Sequence, residues 1–227
     1  MSAKILMNVG RRLLIISLVL LGAISSFGYL FWYKPEYNKH PSRKNFSNNL
    51  NVLSGSNEVL SKLKIKAALA KDYIYQHAYS RSYCFLLDMR IPSGKKRFFV
   101  YNLNKDSVEL AGLVTHGSGS QQTDSDELLF SNESNSYCTS LGKYKVGKSY
   151  TGTFGLAYKL CGLDETNDNA FNRCVVLHSH NCVPAEEVFP STICLSLGCP
   201  TVSPPFLTKL REYIDNAAQP MLLWIYY

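Results

Sequence analysis

The sequence contains neither an internal repeat nor a glycine-rich motif for binding dinucleotides or phosphates. These absences argue against a repeat protein and against an enzyme that depends on a bound nucleotide. The polar run Asn167-Asp168-Asn169 also lacks the regular acidic spacing of an EF-hand calcium loop, so we interpret it as a turn. We expect no cofactor and no metal ion.

Charge is absent from residues 13–33, a run of 21 residues that matches the roughly 20 needed to cross a bilayer as a helix. The preceding tail, residues 1–12, carries Lys4, Arg11 and Arg12, which predicts that it stays in the cytoplasm. A cleaved signal peptide is the alternative. We favour an uncleaved anchor in the cytoplasmic membrane, because the apolar run continues past the small residues that would precede a cleavage site. Either way, the rest of the chain lies at the extracytoplasmic or periplasmic side of the cell envelope.

The net charge of +7 belongs to the N-terminal third of the chain. Residues 1–12 contribute +3, residues 34–66 contribute +5, and residues 67–227 have a net charge of −1. A nucleic-acid-binding domain would carry its positive charge on the folded body, so no nucleic-acid partner is expected. The basic flank instead suits anionic lipid headgroups or an anionic wall polymer.

Residues 34–55 are rich in Asn, Ser and Lys, which predicts a stalk before a folded domain over residues 56–227. Within that domain Ser56 can cap a helix over residues 57–77, and proline starts a second helix over residues 205–216. The remaining apolar runs are short and rich in β-formers, which predicts a mostly β domain. The expected strands are residues 83–91, 97–103, 108–115, 150–160, 173–178 and 192–196, with a further one at 221–226.

Seven cysteines give an odd count. Outside the cytoplasm cysteines tend to pair, so we expect up to three disulfides and at least one free, reactive thiol. The best candidate for the free thiol is Cys199, which follows Gly198 at the end of a short apolar run. His178 ends another apolar run, and an imidazole beside a thiol can remove its proton at neutral pH. Gly198 permits a tight turn at the nucleophile.

Several ordered blocks resemble the L,D-transpeptidases with a YkuD-like catalytic domain, in particular the murein L,D-transpeptidase branch. They are residues 88–100, 114–120, 130–132, 139–144, 150–152, 162–173, 175–178 and the run Ser196-Leu197-Gly198-Cys199-Pro200. The resemblance covers about residues 57–215 and implies a β-sandwich with a few packed helices. It also implies that the partner is the stem peptide of peptidoglycan.

The resemblance further implies a role for individual residues. Cys199 would be the nucleophile and His178 the base, with Ser196 and Gly198 at the family positions that precede the nucleophile. In the implied reaction, Cys199 attacks the carbonyl of the third stem-peptide residue and releases D-Ala. The thioester is then resolved by an amine, which forms a crosslink, or by water. The residues expected to line or position the substrate cleft are His116, Gly117, Ser118, Asn169, Arg173 and His180.

Two positions depart from the family pattern. Leu197 stands where many members have histidine, and residues 200–202 lack the usual arginine, so Arg173 is one candidate to bind the substrate carboxylate. The alternative for Arg173 is a salt bridge or a backbone clamp for the loop over residues 167–169. Three alternatives follow: an L,D-carboxypeptidase, a wall-binding protein without turnover, and a metal-dependent hydrolase. The last would use His178, His180 and Cys182 with a further cysteine, Cys194 or Cys199, as zinc ligands.

Overall fold

The computed structural model describes the backbone of residues 47–227 and the side chains from Glu58 onward. The expected cytoplasmic tail, the apolar segment 13–33 and most of the stalk 34–55 lie outside the described residues. Within residues 47–227, none of the helices combines the length and apolar character that a membrane crossing requires.

Two helices and eight strands make up the described chain. Helix α1 begins nine residues before the expected cap at Ser56, so the end of the expected stalk is helical. Short 3-10 turns occur at Ser118–Ser120 and Asp168–Ala170. The elements follow in the order α1 Ser47–Gln76, β1 Tyr83–Asp88, β2 Phe98–Asn102, β3 Ser107–Gly112, β4 Gly142–Gly152, β5 Gly155–Gly162, β6 Val176–Ser179, β7 Thr201–Val202, α2 Pro204–Asp215 and β8 Leu222–Tyr226.

All eight strands belong to one sheet, in the order β3-β2-β1-β8-β4-β5-β6-β7. The pairs β1–β8 and β6–β7 are parallel and the others are antiparallel. An antiparallel bridge between Val114, just after β3, and Val202 of β7 joins the two ends of the sheet. The mostly β prediction is confirmed, but the expected two-sheet sandwich is a single hydrogen-bonded sheet that closes on itself.

Alternate residues of the strands face a central apolar core, as the two-residue period of a strand requires. Phe85 and Leu87 of β1, Tyr158 of β5 and Leu177 of β6 are fully buried there, together with Leu210 of α2. The opposite face of β1, β2 and β8 packs against α1 through the buried stripe Leu63, Ala67, Ala70 and Ile74. These four residues follow the i, i+3, i+4 spacing of one helix face, whereas Leu60, Ile65 and Leu69 of the same helix are exposed.

Two strand predictions are wrong. Residues 150–160 form a hairpin, because Gly152 and Gly155 frame a turn in the middle of the run, and Gly155 has a φ of +80°. Residues 192–196 form no strand; Ser196 makes a single bridge to Gly117, and Ile193 packs in a small cluster with Leu113 and Val183. The short strand β7 has no counterpart among the sequence predictions.

Candidate active site

The closing end of the sheet positions the segment that contains Cys199. In the parallel pair β6–β7, His178 lies opposite Thr201. Cys199 therefore lies just before β7, two residues ahead of the strand partner of His178. Thr115, next to the bridge that closes the sheet, donates its hydroxyl to the carbonyl of Cys199 (3.2 Å) and accepts from the Thr201 amide (3.1 Å). The segment that contains Cys199 is therefore fixed by backbone and hydroxyl contacts on both sides.

Cys199 and His178 line the same cavity, of about 480 Å³, which we call the active-site cavity. Phe154, Arg173 and Leu197 also contribute to its wall. Leu197 is 70% exposed, so the residue in the usual histidine position projects from the rim. Among the described residues, no hydrogen bond joins Cys199 Sγ to the His178 ring; instead, Sγ lies 3.8 Å from the carbonyl oxygen of Cys174.

Burial is the main influence on the Cys199 thiol, and it raises the pKa of that thiol above its ordinary value. A backbone hydrogen bond from Val176 and the positive charge of Arg173 act in the opposite direction, while the nearby Cys174 thiol adds to the rise. The resting group at neutral pH is consequently a thiol, with two features of the protein ready to stabilise a thiolate.

His178 is buried, and burial lowers the pKa of its ring below the ordinary value; the Ser179 carbonyl opposes this shift and His180 adds to it. Nδ1 lies 3.2 Å from the Ser179 oxygen, which can only accept, so Nδ1 carries the hydrogen. The free nitrogen, Nε2, is then the acceptor for the hydroxyl of Thr201 at 3.0 Å. Phe154 stacks on the ring, with centroids 4.8 Å apart.

The turn before Cys199 requires glycine. Gly198 has a φ of +110°, and a Cβ there would meet the carbonyl oxygen of Cys138 at 2.8 Å. Ser196 holds the turn from within: its Oγ accepts from the Gly198 amide (3.2 Å) and donates to the carbonyl of His116 (3.3 Å). Ser196 therefore shapes the turn before Cys199 and occupies the Gly198 amide.

Arg173 lies between the active-site cavity and the loop over residues 131–140. Its Nη1 donates to the Ser131 carbonyl (2.9 Å) and to the Ser140 hydroxyl. Its Nη2 donates to the Cys138 carbonyl (2.7 Å) and the Ser136 hydroxyl (3.3 Å). All four hydrogens of the two terminal nitrogens thus have protein acceptors. Among the described ion pairs none involves Arg173, so its charge stays uncompensated beside the thiol.

The other residues expected at the cleft form a supporting layer behind it. The His116 ring is 4% exposed, and burial together with Arg97 lowers its pKa to about 4. Arg97 Nη2 donates to its Nδ1 (2.9 Å), and its Nε2 contacts Gln121 Oε1 (3.1 Å), so both ring nitrogens are used. None of these three side chains lines the active-site cavity.

Gly117, Ser118 and Asn169 also act through backbone support rather than at the cavity wall. The Gly117 and Ser118 amides donate to the Thr139 hydroxyl (3.0 Å) and the Ser196 carbonyl (2.7 Å), respectively. Asn169 Nδ2 donates to the Asn132 carbonyl (3.2 Å), and its own carbonyl accepts from the Arg173 amide (3.0 Å). The expected turn that positions Arg173 is present.

His180 does line the cavity, at its exposed rim. Its Nδ1 accepts from the Cys182 amide (3.1 Å), and Cys182 forms a disulfide with Cys194. Because that disulfide uses both sulfurs, the zinc-ligand set suggested by the sequence does not assemble, and residues 58–227 contain no group of three potential ligands. The sequence allows up to three disulfides, but residues 58–227 contain one disulfide and five free thiols.

Sequence reasoning missed Thr201, Ser179 and Thr115, all of which contact the side chain of His178 or the backbone of Cys199. Thr201 lies two residues after Cys199, but in the sequence residues 200–202 stand out only because they lack arginine. The signal that identifies it is the parallel pairing of β6 with β7, which depends on closure of the sheet.

A thiol and an oriented, neutral imidazole in one cavity are typical of enzymes that transfer acyl groups through cysteine. The family comparison agrees with this class. Residues 56–226 match the family model described as the L,D-transpeptidase catalytic domain. The chain therefore belongs to the L,D-transpeptidase catalytic domain family.

Solved structures give a more distant comparison. The chain is 12% identical to an L,D-transpeptidase from Xylanimonas cellulosilytica (66% of this chain and 62% of that chain covered, TM-score 0.36). It is 11% identical to an L,D-transpeptidase from Mycobacterium smegmatis (64% and 59% covered, TM-score 0.38). It thus spans about three fifths of the length of each of these chains. A comparison with curated proteins found no match.

Proposed function

We propose that this protein is a peptidoglycan L,D-transpeptidase with Cys199 as nucleophile and His178 as general base. The observation that carries the proposal is the shared active-site cavity of these two side chains, in a chain of the L,D-transpeptidase catalytic domain family. The substrate is a stem tetrapeptide that ends in D-Ala. The family acts on cell wall, which implies that the domain over residues 56–227 works outside the cytoplasm. We propose residues 13–33 as its membrane anchor, with 1–12 inside and 34–55 as the stalk.

In the first step, Cys199 Sγ attacks the carbonyl carbon of the third stem residue, and the bond from that carbon to the nitrogen of D-Ala breaks. His178 Nε2 accepts the thiol proton and passes it to the leaving amine. The Ser179 carbonyl, which holds the hydrogen of Nδ1, keeps Nε2 directed into the cavity and stabilises the imidazolium once it forms.

Thr201 accommodates both protonation states of the base. Its hydroxyl donates to neutral Nε2 (3.0 Å), and the carbonyl of Cys199 is a second acceptor within 3.4 Å. When Nε2 takes up the proton, the hydroxyl can turn to that carbonyl and accept from Nε2–H instead. We therefore assign Thr201 a positioning role that costs no hydrogen bond as the base changes charge.

The oxyanion of the tetrahedral intermediate needs donors or positive charge. Because the Gly198 amide already donates to Ser196, we assign this role to the Cys199 amide and to the uncompensated charge of Arg173. The saturated donors of Arg173 also argue that it acts on the substrate through its charge rather than as a two-pronged carboxylate clamp.

The acyl-enzyme has two outcomes. An amine of a second stem peptide resolves it to a 3-3 crosslink, and water resolves it to a tripeptide, which is the L,D-carboxypeptidase reaction. The missing hydrogen bond between Cys199 and His178 favours a second candidate, a wall-binding protein of the same fold without turnover.

Incubation of the full-length protein with purified tetrapeptide muropeptides separates these candidates. We expect free D-Ala and a 3-3 crosslinked dimer from the unaltered protein, and neither product from Cys199→Ala. Cys174→Ala is the matched control, because it removes a thiol from the same cavity. Tripeptide without dimer would identify a carboxypeptidase. Retention on sacculi with no D-Ala release would identify the wall-binding protein and refute the enzyme.

A further inference from the structure

A second groove, of about 920 Å³, lies on the outer face of strands β4 and β5 and extends to the end of α2. We call it the basic groove and define it by Lys145, Lys148, Lys159, Tyr150 and Phe171, which are all among its lining residues. The mechanism proposed above uses none of these side chains.

Local sheet geometry brings the three lysines together. Lys145 of β4 pairs with Cys161 of β5, and Lys159 lies two residues before Cys161, so Lys145 and Lys159 share one face of the sheet. The register shift between Val146 and Ser149 inserts one extra residue into β4, and Lys148 within it also lines the groove.

The positive charge of the groove is unpaired. Lys145, Lys148 and Lys159 are exposed, and none takes part in an ion pair of the described chain. Asp215 is the acidic side chain among the described lining residues, but it already pairs with Arg211 (2.9 Å) and accepts from the hydroxyl of Tyr158 (3.1 Å). Three like charges around one concave surface attract an anion more strongly than isolated lysines do.

The basic groove leads to the nucleophile. Tyr150 lines both the groove and the active-site cavity. Lys159 Nζ lies 5.8 Å from the centre of the Tyr150 ring and 5.0 Å from that of Phe171. Lys159 is also the strand partner of Val176, whose backbone contacts the Cys199 thiol. The basic groove and the active-site cavity therefore share a wall at Tyr150.

We propose that the basic groove binds the carboxylates of the acceptor stem peptide, whose amine resolves the acyl-enzyme. This inference rests on the proposed function and adds where the second substrate lies. Lysine ammonium groups are compact charges that suit carboxylates held near a surface. Nearby positive charge also disfavours the ammonium form of the acceptor amine, and only the neutral amine can attack.

The resolving step requires only the acceptor amine, the thioester on Cys199 and the ring of His178. The acceptor nitrogen bonds to the thioester carbonyl carbon and the carbon–sulfur bond breaks. The proton of the amine passes through His178 to the departing sulfur, which restores the Cys199 thiol.

The test compares two triple variants of the full-length protein in detergent. Lys145→Gln/Lys148→Gln/Lys159→Gln removes the groove charges, and Lys64→Gln/Lys95→Gln/Lys209→Gln removes three exposed charges elsewhere. The readout is the ratio of crosslinked dimer to hydrolysed tripeptide. We expect the groove variant to lower this ratio about tenfold and the control to keep it within about twofold. Equal effects of the two variants would overturn the inference, because they would reflect general charge alone.

An acceptor peptide with amidated carboxylates provides a second test that needs no variant. The unaltered protein should crosslink it about tenfold less well than the native acceptor, and the groove variant should treat both acceptors alike. Undiminished use of the amidated acceptor by the unaltered protein would overturn the inference. The inference would also be overturned if inorganic polyphosphate inhibited the unaltered protein while the groove variant used the peptide acceptor as well as the unaltered protein does. That result would assign the groove to a phosphate polymer.

The failure of the inference and that of the proposed function are distinct. If the groove variant forms crosslinked dimer and tripeptide in the same ratio as the unaltered protein, the transpeptidase stands and the acceptor groove is wrong. Tripeptide as the sole product of the unaltered protein identifies a carboxypeptidase and overturns both. If no D-Ala is released by the unaltered protein, both proposals are wrong.

Discussion

At the scale of single residues, burial favours the uncharged forms of Cys199 and His178, the two groups that we propose to react. It raises the pKa of the Cys199 thiol and lowers the pKa of the His178 ring, so the two shifts oppose a preformed thiolate–imidazolium pair. In the proposed reaction we therefore expect proton transfer to accompany attack on the substrate instead of preceding it. Ser179 and Thr201 orient the base for that moment through the two nitrogens of its ring.

The raised pKa predicts how the Cys199 thiol reacts with iodoacetamide. Only the thiolate is alkylated, so the rate should rise with pH through a midpoint above the ordinary value of about 8.5. Mass spectrometry of the Cys199 peptide after timed exposure between pH 5 and 10 measures this midpoint. Fast alkylation that is already constant from pH 5 upwards would instead reveal a resting ion pair and contradict the neutral site.

The positioning role of Thr201 predicts a specific pattern of kinetic loss. Thr201→Val keeps the shape but removes the hydroxyl that contacts Nε2, and misplacement of a catalytic group can cost about 100-fold in rate. We expect the rate of D-Ala release to fall by about ten- to 100-fold with little change in KM, and Thr201→Ser to restore most of it. A residue that serves packing alone would show the reverse, with Val tolerated and Ser impaired.

At the scale of elements, the β4–β5 hairpin covers His178, the proposed catalytic base. Its tip carries Phe154, which is 57% exposed yet stacks on the His178 ring at 4.8 Å. The hairpin also contributes Tyr150 to the wall shared with the basic groove. Loss of this cover would let water reach the ring whose pKa burial lowers.

Phe154→Ala should therefore move the acidic limb of the pH–rate profile to higher pH. Exposure removes part of the desolvation that lowers the His178 pKa, so the pKa rises towards its ordinary value of about 6.5. A base with a higher pKa becomes protonated, and inactive, earlier as the pH falls. The measurement is kcat/KM between pH 4.5 and 8, with Phe154→Leu as the control that keeps an apolar cover. An unmoved acidic limb in Phe154→Ala would show that the stacking does not influence the base.

The elements also explain what the sequence could and could not predict. The helix α1, the mostly β body and the placement of His178 near the end of a strand follow from local spacing, and the structure has them there. The hairpin within residues 150–160 was missed because its turn interrupts a continuous β-forming run at two glycines. Strand β7 was missed because two residues carry no periodicity, and its partner β6 lies more than twenty positions earlier.

Some residues predicted to lie at the cleft are found elsewhere because contacts between distant parts of the chain decide their positions. His116 and Asn169 stand in motifs near the cleft in sequence, but hydrogen bonds to Arg97 and to Asn132 direct them into the supporting layer. Such contacts join residues on separate elements, and spacing along the chain does not encode them. Thr201 belongs to this group as well, since its contact with His178 exists only between paired strands.

At the scale of the whole molecule, α1 supports the sheet on the face opposite the central core. Ile74 is fully buried there, whereas Ile65 of the same helix is 64% exposed. Ile74→Ala should lower the free energy of unfolding by about 3 kcal/mol, and Ile65→Ala by less than about 0.5 kcal/mol. Urea unfolding of the two variants measures the difference. Equal, small losses would indicate that the helix does not pack on the sheet as described.

The proposed function requires Cys199 to be the residue that receives the acyl group. Intact-mass spectrometry of the full-length protein during turnover of a stem tetrapeptide, followed by peptide mapping, tests this directly. We predict an adduct equal to the tetrapeptide minus D-Ala, located on Cys199 and absent from Cys199→Ala. An adduct on Cys174, or an equal adduct in the Cys199→Ala protein, would contradict the central claim.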